Sequence, residues 1–269
     1  TITDYCLQAK KWGMKAIALT DHGNVQAFPE AQKIGAKTGL KILYGSELYM
    51  VDEQLDYVFN PSDVILNKAT YVLFDFETTG LSARYDRIIE FGAVKFKDGI
   101  IVDNIDLFID PEIEIPQMIV EKTHVTNAMV RGKTKIKEAL KIMKEFIGDA
   151  ILVAHNASFD YGFLNEAFKN NNQEEIKNPV IDTLALAWYM FPNAKSHSLG
   201  GLCRQFGVEY DELSAHRANY DAEVLNEAWQ AMLVKLTQNN MELKHKELLD
   251  LRNDQILKNA RVKHCIALA

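Results

Sequence analysis

The hydrophobic pattern of the chain changes between a period of two residues and the helical period, and it divides the sequence into segments. In the first fifty residues, apolar runs at 16–19 and 42–44 follow helical patterns at 5–12 and 27–37. Strand patterns that alternate with helical ones are typical of α/β units. The periodicity lapses between about residues 51 and 68, which predicts a domain boundary there.

A second unit begins with a predicted strand at residues 71–77. Apolar runs at 88–96 and 100–109 are joined by Lys97-Asp98-Gly99, and Asp-Gly between apolar runs is a strong β-hairpin signal. Later segments predict a strand at 151–154 and helices at 134–147, at 159–168 with Ser158 as N-cap, and at 218–236. Hairpin strands followed by alternating helices and strands predict an α/β fold, a mixed sheet with flanking helices.

Composition bounds the class of protein only loosely. The 269 residues are 48% hydrophobic, which is enough for a sizeable core in one or two domains, and the formal net charge is −7. A negative net charge is the opposite of the positive net charge expected when nonspecific attraction to phosphates drives binding. Carboxylates that bind cations also contribute to such a total, so a nucleic-acid enzyme is not excluded.

Cysteine usage and hydropathy indicate an intracellular protein. The wide spacing of Cys6, Cys203 and Cys265 predicts neither a disulfide framework nor a zinc knuckle. No apolar run reaches the ~18 residues of a membrane span, and the N-terminus lacks the pattern of a signal peptide. We therefore expect a cytoplasmic protein without a membrane partner.

Two carboxylates interrupt the first strand of the second unit. Residues two apart in a strand share a face, so Asp75 and Glu77 project together. Val72, Phe74 and Phe76 face the other side. Burying two carboxylates without partners is unfavourable, so they are either exposed to solvent or neutralised by a cation. Their oxygens suit hard divalent cations such as Mg²⁺ or Mn²⁺.

Further polar residues lie near the starts of two predicted helices. Asp160 lies in a first turn, where an anion is favoured. His216 and Asp221 would be separated by roughly 140° on one helix, so we expect His216 on a loop and Asp221 inside the helix. A histidine beside cation-bound carboxylates is well placed to take a proton from water. Taken singly, Asp160 also fits an ordinary first-turn aspartate, and His216 an ordinary loop histidine.

Four motifs, in order and with matching separation, resemble the DEDDh exonuclease family over about residues 70–236. They are Asp75-Phe-Glu77-Thr-Thr-Gly80-Leu81, His155-Asn156-Ala-Ser-Phe159-Asp160, Ser198-Leu199 with Leu202, and His216-Arg217-Ala218-Asn219-Tyr220-Asp221-Ala222. The resemblance implies an RNase H-like fold and metal-dependent hydrolysis of nucleotides from a 3′ end.

Carried over by position, the resemblance assigns catalytic roles. The expected ligands of two Mg²⁺ or Mn²⁺ ions are Asp75, Glu77, Asp160 and Asp221. His216 completes the catalytic set as the general base.

The resemblance also implies where the substrate is bound. Contacts with it are expected from Thr78, Thr79, Gly80, Leu81 and Asn156. The chain departs from the family at a turn on the substrate side, where members often have Gly before Ile/Val-Thr and this chain has His124-Val125-Thr126.

Sequence on both sides of this unit resembles pieces of a PHP domain, namely Thr20-Asp21-His22-Gly23-Asn24, Gly45-Ser46-Glu47-Leu48-Tyr49 and His264-Cys-Ile-Ala-Leu-Ala269. The resemblance implies partial PHP-type α/β segments at 1–60 and 245–269 around an exonuclease domain at 68–238. An incomplete metal site with the candidate ligands Asp21, His22, Glu47 and His264 is expected there. A tight turn built by Asp-His-Gly is the alternative interpretation.

This layout is similar to that of the PolC-type replicative DNA polymerase III of bacteria. It implies a proofreading exonuclease that acts on a single-stranded or frayed DNA 3′ end, with the remainder of a polymerase chain and replisome proteins as partners. Two alternatives stay open: an RNA 3′-end exonuclease, and a non-catalytic scaffold domain. The flanking segments favour DNA over RNA, and the complete acidic set with His216 favours catalysis over a scaffold.

Overall fold

The computed structural model describes residues 1–22, 24–51, 57–251 and 262–268, and for 48–51 and 262–268 it describes the main chain only. Two compact units result, one formed by Thr1–Leu55 with Ala260–Ala269 and the other by Asp56–Asn259. Among the described residues, no helix combines the length and the apolar character needed to cross a membrane.

The first unit contains a three-stranded sheet and two helices. Its elements are α1 (Ile2–Lys11), β1 (Ala16–Leu19), α2 (Phe28–Thr38), β2 (Lys41–Val51) and, from the far end of the chain, β10 (Val262–Leu268). In this sheet β2 pairs in parallel with β1 and antiparallel with β10. Both helices agree with the predicted segments, and Gly39 ends α2 in the left-handed conformation (φ 68°) that glycine adopts at low cost.

The second unit contains a seven-stranded sheet flanked by helices. Its strands are β3 (Val58–Phe59), β4 (Thr70–Thr78), β5 (Ile88–Lys97), β6 (Ile100–Asp110), β7 (Thr134–Lys135), β8 (Ile151–Ala154) and β9 (Val180–Asp182). Its α-helices are α3 (Gln117–Thr123), α4 (Asn127–Val130), α5 (Ile136–Ile147), α6 (Ala157–Asn170), α7 (Thr183–Met190), α8 (Leu199–Phe206) and α9 (Ala218–Thr237). Two 3-10 helices, Leu66–Lys68 and His245–Leu251, complete it.

The sheet of the second unit is mixed, as predicted. Its strand order is β3-β9-β8-β4-β5-β6-β7. The strands β4, β5 and β6 are antiparallel neighbours, whereas β4, β8 and β9 run parallel to one another. The predicted hairpin joins β5 to β6, and Asp98 (φ 51°) and Gly99 (φ 84°) at its tip have the positive φ angles of a tight hairpin turn.

The central strand β4 buries both of its faces. Phe74 and Phe76 pack into a core that also contains Met143 of α5 and Phe163 of α6. On the other face, the ring centroid of Tyr71 lies 5.3 Å from that of Trp229 in α9. Helices therefore cover both faces of the sheet at β4, and any charged group on this strand must lie near its end, where the helical cover opens.

Two predicted boundaries are wrong. The helix α6 begins at Ala157, and its N-cap is Asn156, not Ser158. Asn156 takes a left-handed conformation (φ 78°) that asparagine tolerates, and this turns the chain from β8 into α6 two residues early. The segment predicted as a helix from residue 134 begins instead with Thr134–Lys135 in β7, which pairs with the end of β6.

One glycine allows α9 to approach the sheet. A Cβ atom at Gly92 of β5 would lie 2.0 Å from the carbonyl carbon of Ala218 and 2.1 Å from the main-chain nitrogen of Asn219. Because main-chain atoms cannot move aside as a flexible side chain can, only glycine allows this packing. By contrast, a Cβ atom at Gly162, inside α6, would meet nothing within 4 Å.

We expect Gly92→Ala to lower the free energy of unfolding by about 1–3 kcal/mol or more, because the first turn of α9 must move away from β5. The matched control is Gly162→Ala, which should raise it by up to about 1 kcal/mol, since alanine favours a helix more than glycine does. Urea unfolding of both variants measures the difference. Equal unfolding free energies for the two variants would contradict the close approach.

Candidate active site

Two of the predicted catalytic residues lie on β4, near the edge of a cavity. Asp75 and Glu77 alternate with buried aromatic residues, so both carboxylates point to one face of the strand. The cavity has a volume of about 150 Å³. Its lining comprises Asp75, Phe76, Glu77, Thr78, Gly80, Leu81, Ile119, Lys122, Thr123, Phe159, His216 and Asp221. The cavity thus joins the end of β4 to residues from α3, α6 and α9.

Asp160 reaches the same region from the first turn of α6. Its side chain is 2% exposed, and its Oδ1 atom accepts a hydrogen bond of 3.1 Å from the main-chain N–H of Phe76. Phe76 lies between Asp75 and Glu77 in β4, so this bond ties Asp160 to the strand that carries the other two carboxylates. A helix N-terminus also favours an anion at this position.

Asp221 and His216 come from the start of α9, as the sequence predicts. Asp221 lies in the first turn of the helix, and His216 precedes the helix on a loop. The main-chain N–H of His216 donates a hydrogen bond of 3.0 Å to Oδ2 of Asp221, and His216 has a positive φ angle of 62°. Ligand atoms of Glu77, His216 and Asp221 lie within 4.8 Å of one another. The structure therefore places these residues in one cluster.

The carboxylates disfavour one another's charge. Burial, followed by repulsion from Asp160 and Glu77, raises the pKa of Asp75 well above its ordinary value. Burial is the largest cause for the others as well, and it raises the pKa of Glu77 to about 9, that of Asp160 to about 8 and that of Asp221 to about 6. Such a site binds a cation favourably, because a cation removes the repulsion that the protein alone does not compensate.

The donor set fits a hard divalent cation. The carboxylates offer oxygen atoms of the kind that Mg²⁺ and Mn²⁺ prefer as ligands, and the described residues that line the cavity include no cysteine. Partial desolvation of the solvent-accessible imidazole, followed by repulsion from nearby Lys122, lowers the pKa of His216. A neutral imidazole beside such a site can accept a proton.

The predicted substrate contacts divide into two groups. Thr78, Gly80 and Leu81 line the cavity, and the Leu81 side chain is 81% exposed. Thr79 and Asn156 are not part of that lining. The Thr79 hydroxyl accepts a 2.9 Å hydrogen bond from the main-chain N–H of Arg87, and this bond closes the loop between β4 and β5. The main-chain N–H of Asn156 donates a hydrogen bond to Asp182.

Sequence reasoning missed the contribution of α3 to the cavity. Ile119, Lys122 and Thr123 of this short helix line it opposite the carboxylates. Directly after α3, His124 takes the left-handed conformation (φ 59°, ψ 7°). This is the position where family members often have glycine, so the departure from the pattern preserves the turn at a modest cost in strain.

The candidate PHP ligands are described only in part. In the first unit, Nδ1 of His22 contacts the Oε2 atom of Glu47, and the Glu47 side chain is 6% exposed. Asp21 precedes His22 in the same turn, at the end of β1. His264 pairs through its main chain with Tyr49 in β2, and its side chain lies outside the described residues.

A mixed sheet whose central strand carries two of four clustered carboxylates defines a class of metal-dependent nucleases. The sequence model of the family described as "Exonuclease" matches residues 72–228, and the chain belongs to this family. The family is of the kind that uses divalent metal ions, in agreement with the acidic cluster.

Relatives of the chain include bacterial DNA polymerases. The chain is 45% identical over 265 residues to the PolC-type DNA polymerase III of Halalkalibacterium halodurans. The aligned region covers 98% of this chain and 18% of the relative. Its identity to the Bacillus subtilis protein of the same name is 48% over 217 residues, 80% of this chain and 15% of the relative. The chain thus spans about a fifth of the length of the relatives that it matches, and it is homologous to their exonuclease region.

Solved structures share the fold. Exonuclease X in complex with 5′ overhanging duplex DNA is 26% identical, with a TM-score of 0.51 over 67% of this chain and 98% of that one. Escherichia coli Exonuclease I in complex with a dA16 oligonucleotide is 20% identical, with a TM-score of 0.56 over 70% of this chain and 45% of that one. These likenesses confirm the predicted RNase H-like exonuclease fold.

The raised pKa values predict how stability depends on pH without metal. A carboxyl group whose pKa is raised on folding binds protons more tightly in the folded state, so stability falls as pH rises from its unfolded pKa, about 4, through its folded pKa. Groups with a folded pKa of about 6, 8 and 9 spread this loss over the range up to pH 9. In EDTA, the melting temperature should therefore fall between pH 5 and pH 9.

The same measurement on Asp75→Asn should give a flatter curve and a higher melting temperature than the wild type at pH 8, because one repelling charge is gone. Each kcal/mol of relieved repulsion corresponds to about 2–4 °C. Asp103→Asn, at an exposed position of β6, is the matched control and should follow the wild type. Identical curves for the wild type and Asp75→Asn would contradict the repulsion.

Proposed function

We propose that this chain is the proofreading 3′ to 5′ exonuclease portion of a PolC-type DNA polymerase III, which releases nucleoside monophosphates from DNA 3′ ends. The observation that carries the proposal is that Asp75, Glu77, Asp221 and His216 line one cavity at the end of β4, with Asp160 hydrogen-bonded to the main chain between Asp75 and Glu77. Homology to the exonuclease region of named polymerases supports it.

We assign the four carboxylates as ligands of two Mg²⁺ or Mn²⁺ ions. Asp75 and Glu77 extend from the strand, while Asp160 and Asp221 approach from the first turns of α6 and α9. When bound, such ions would lower the pKa of a coordinated water and stabilise charge on the phosphodiester. Asp160 and Asp221 are themselves oriented by main-chain N–H groups, which keeps the ligand set in place.

His216 acts as the general base. Its ring is exposed at the cavity, and its lowered pKa keeps the imidazole neutral at pH 7–8, so it can take a proton from the attacking water. The hydrogen bond from its main-chain N–H to Asp221 fixes the base beside a metal ligand.

The 3′-terminal nucleotide binds against the strand-end loop. Thr78, Gly80 and Leu81 border the cavity directly, and Thr79 and Asn156 shape the loops beside it. In this proposal the cavity receives the end of a single strand, so a paired 3′ end must fray before it is cleaved. A mismatched end frays at lower cost, which gives the preference that proofreading needs.

The flanking segments belong to the same proposal. We assign residues 68–238 to the exonuclease domain and residues 1–60 and 245–269 to partial PHP segments, except that Val58–Phe59 and His245–Leu251 pack with the exonuclease unit. The candidate metal ligands of the PHP segments are Asp21, His22, Glu47 and His264. The contact between His22 and Glu47 supports this assignment. The partners are the remainder of the polymerase chain and replisome proteins, and the place of action is the bacterial cytoplasm, where such polymerases meet DNA.

Hydrolysis of matched single-stranded DNA and RNA oligonucleotides, labelled at the 5′ end, tests the proposal. With Mg²⁺ or Mn²⁺ we expect a ladder of DNA products shortened from the 3′ end, and EDTA should abolish it, because the carboxylates alone cannot activate water at neutral pH. Faster hydrolysis of RNA would favour an RNA 3′-end exonuclease instead. Absence of hydrolysis on both substrates would favour a non-catalytic scaffold.

Substitutions measured in the same assay separate the proposed metal ligands from the proposed general base. Asp75→Ala and Asp221→Ala should eliminate detectable turnover, because each removes a metal ligand. His216→Ala should lower kcat by roughly 10²- to 10⁴-fold, the usual range for loss of a general base. Asp103→Ala removes an exposed carboxylate from β6 and should leave the rate unchanged. A wild-type rate for His216→Ala would refute the assignment of the base.

A further inference from the structure

An ion pair between the buried carboxylate of Glu90 and the half-buried guanidinium of Arg217 joins β5 to the segment that carries His216. Glu90 of β5 is 0% exposed, and the Arg217 guanidinium donates to both of its oxygens, with Nε at 3.2 Å from each and Nη2 at 2.9 Å from Oε1. The Arg217 guanidinium also lies over the ring of Phe108, 5.3 Å from its centroid. Two-pronged binding of this kind fixes the direction of the arginine as well as its distance.

This ion pair is adjacent in the sheet and along the chain to the predicted catalytic residues. Glu90 pairs in register with Glu77 across β4 and β5, and Gly92 pairs in the same way with Asp75. Arg217 directly follows His216, and the main-chain N–H of Ala218 approaches Oε2 of Glu90 at 3.5 Å. The carboxylate of Glu90 therefore meets both the side chain at the N-cap of α9 and the first N–H of that helix.

The loop at His216 needs such an anchor. A non-glycine residue with a φ angle of 62° is strained, and surrounding contacts must maintain that conformation. The N-cap residue Arg217 makes no capping hydrogen bond with its own side chain. Anchoring of the loop falls to Glu90, and to the hydrogen bond between the main-chain N–H of His216 and Asp221.

We infer that Glu90 and Arg217 are positioning residues that hold His216 in place relative to Asp75 and Glu77. The inference rests on the proposed function, because it takes His216 as the proton acceptor. Such a pair contributes little to stability compared with apolar residues of the same volume, whereas its two-pronged hydrogen bonds constrain the position of the arginine. Arginine is required for this role, since lysine offers a single charged nitrogen and cannot bind both carboxylate oxygens in the same plane.

A double-mutant cycle tests the inference in the reaction. Arg217→Lys keeps the charge but loses the second prong, so we expect kcat to fall about 10- to 100-fold with KM changed less than about twofold. In a His216→Ala background the same change should lower kcat by less than about twofold, because the base that it positions is absent. An equal loss of kcat in both backgrounds, or no loss in the first, would overturn the inference.

Amide hydrogen exchange provides a second readout that does not depend on activity. In Arg217→Lys, the amides of His216 and Ala218 should exchange at least tenfold faster than in the wild type, while the core amide of Val153 in β8 stays unchanged. Arg131→Lys is the matched control, because Arg131 forms an exposed ion pair in which its Nη2 atom lies 3.4 Å from Oε1 of Glu114. This variant should change none of these rates. Unchanged exchange at His216 and Ala218 would overturn the inference.

The two readouts separate the inference from the proposed function. An inert wild-type chain would refute the function, and exchange would still decide whether the ion pair holds the loop. An active wild type in which Arg217→Lys behaves like Arg131→Lys would refute the inference alone.

Discussion

Repulsion among four carboxylates at the end of one buried strand is the constraint on which this structure depends. Aromatic residues of β4 fill the core, and the alternation that buries them also directs Asp75 and Glu77 to one face. Asp160 and Asp221 then add two more acidic groups, and burial with mutual repulsion raises all four pKa values. Without a cation, burial and repulsion of these carboxylates lower the stability of the folded state. A bound cation would remove the repulsion, so the arrangement indicates a cation site.

Four contacts hold the repelling groups together. The main-chain N–H of Phe76 binds Asp160, and the main-chain N–H of His216 binds Asp221. Gly92 lets the start of α9 lie against β5, and Glu90 with Arg217 joins the same two elements. The two hydrogen bonds connect acidic residues to the main chain, and the other two contacts hold the start of α9 against β5.

The sequence predicted those parts that depend on local signals. Alternation and Asp98-Gly99 gave the hairpin of β5 and β6, and the spacing of His216 and Asp221 placed one on a loop and the other in a helix. The start of α6 was mispredicted, because a left-handed asparagine before a helix has no periodic signature. The pair Glu90 and Arg217 was missed because its members are 127 positions apart, and singly they look like ordinary charged residues.

Anomalous scattering from crystals grown with Mn²⁺ tests the central claim most directly, because it locates each ion without reference to activity. The account predicts two manganese peaks within coordination distance of Asp75, Glu77, Asp160 and Asp221, and the loss of at least one of them in Asp75→Ala. Crystals of the wild-type chain with manganese at other sites and none among these four carboxylates would contradict it.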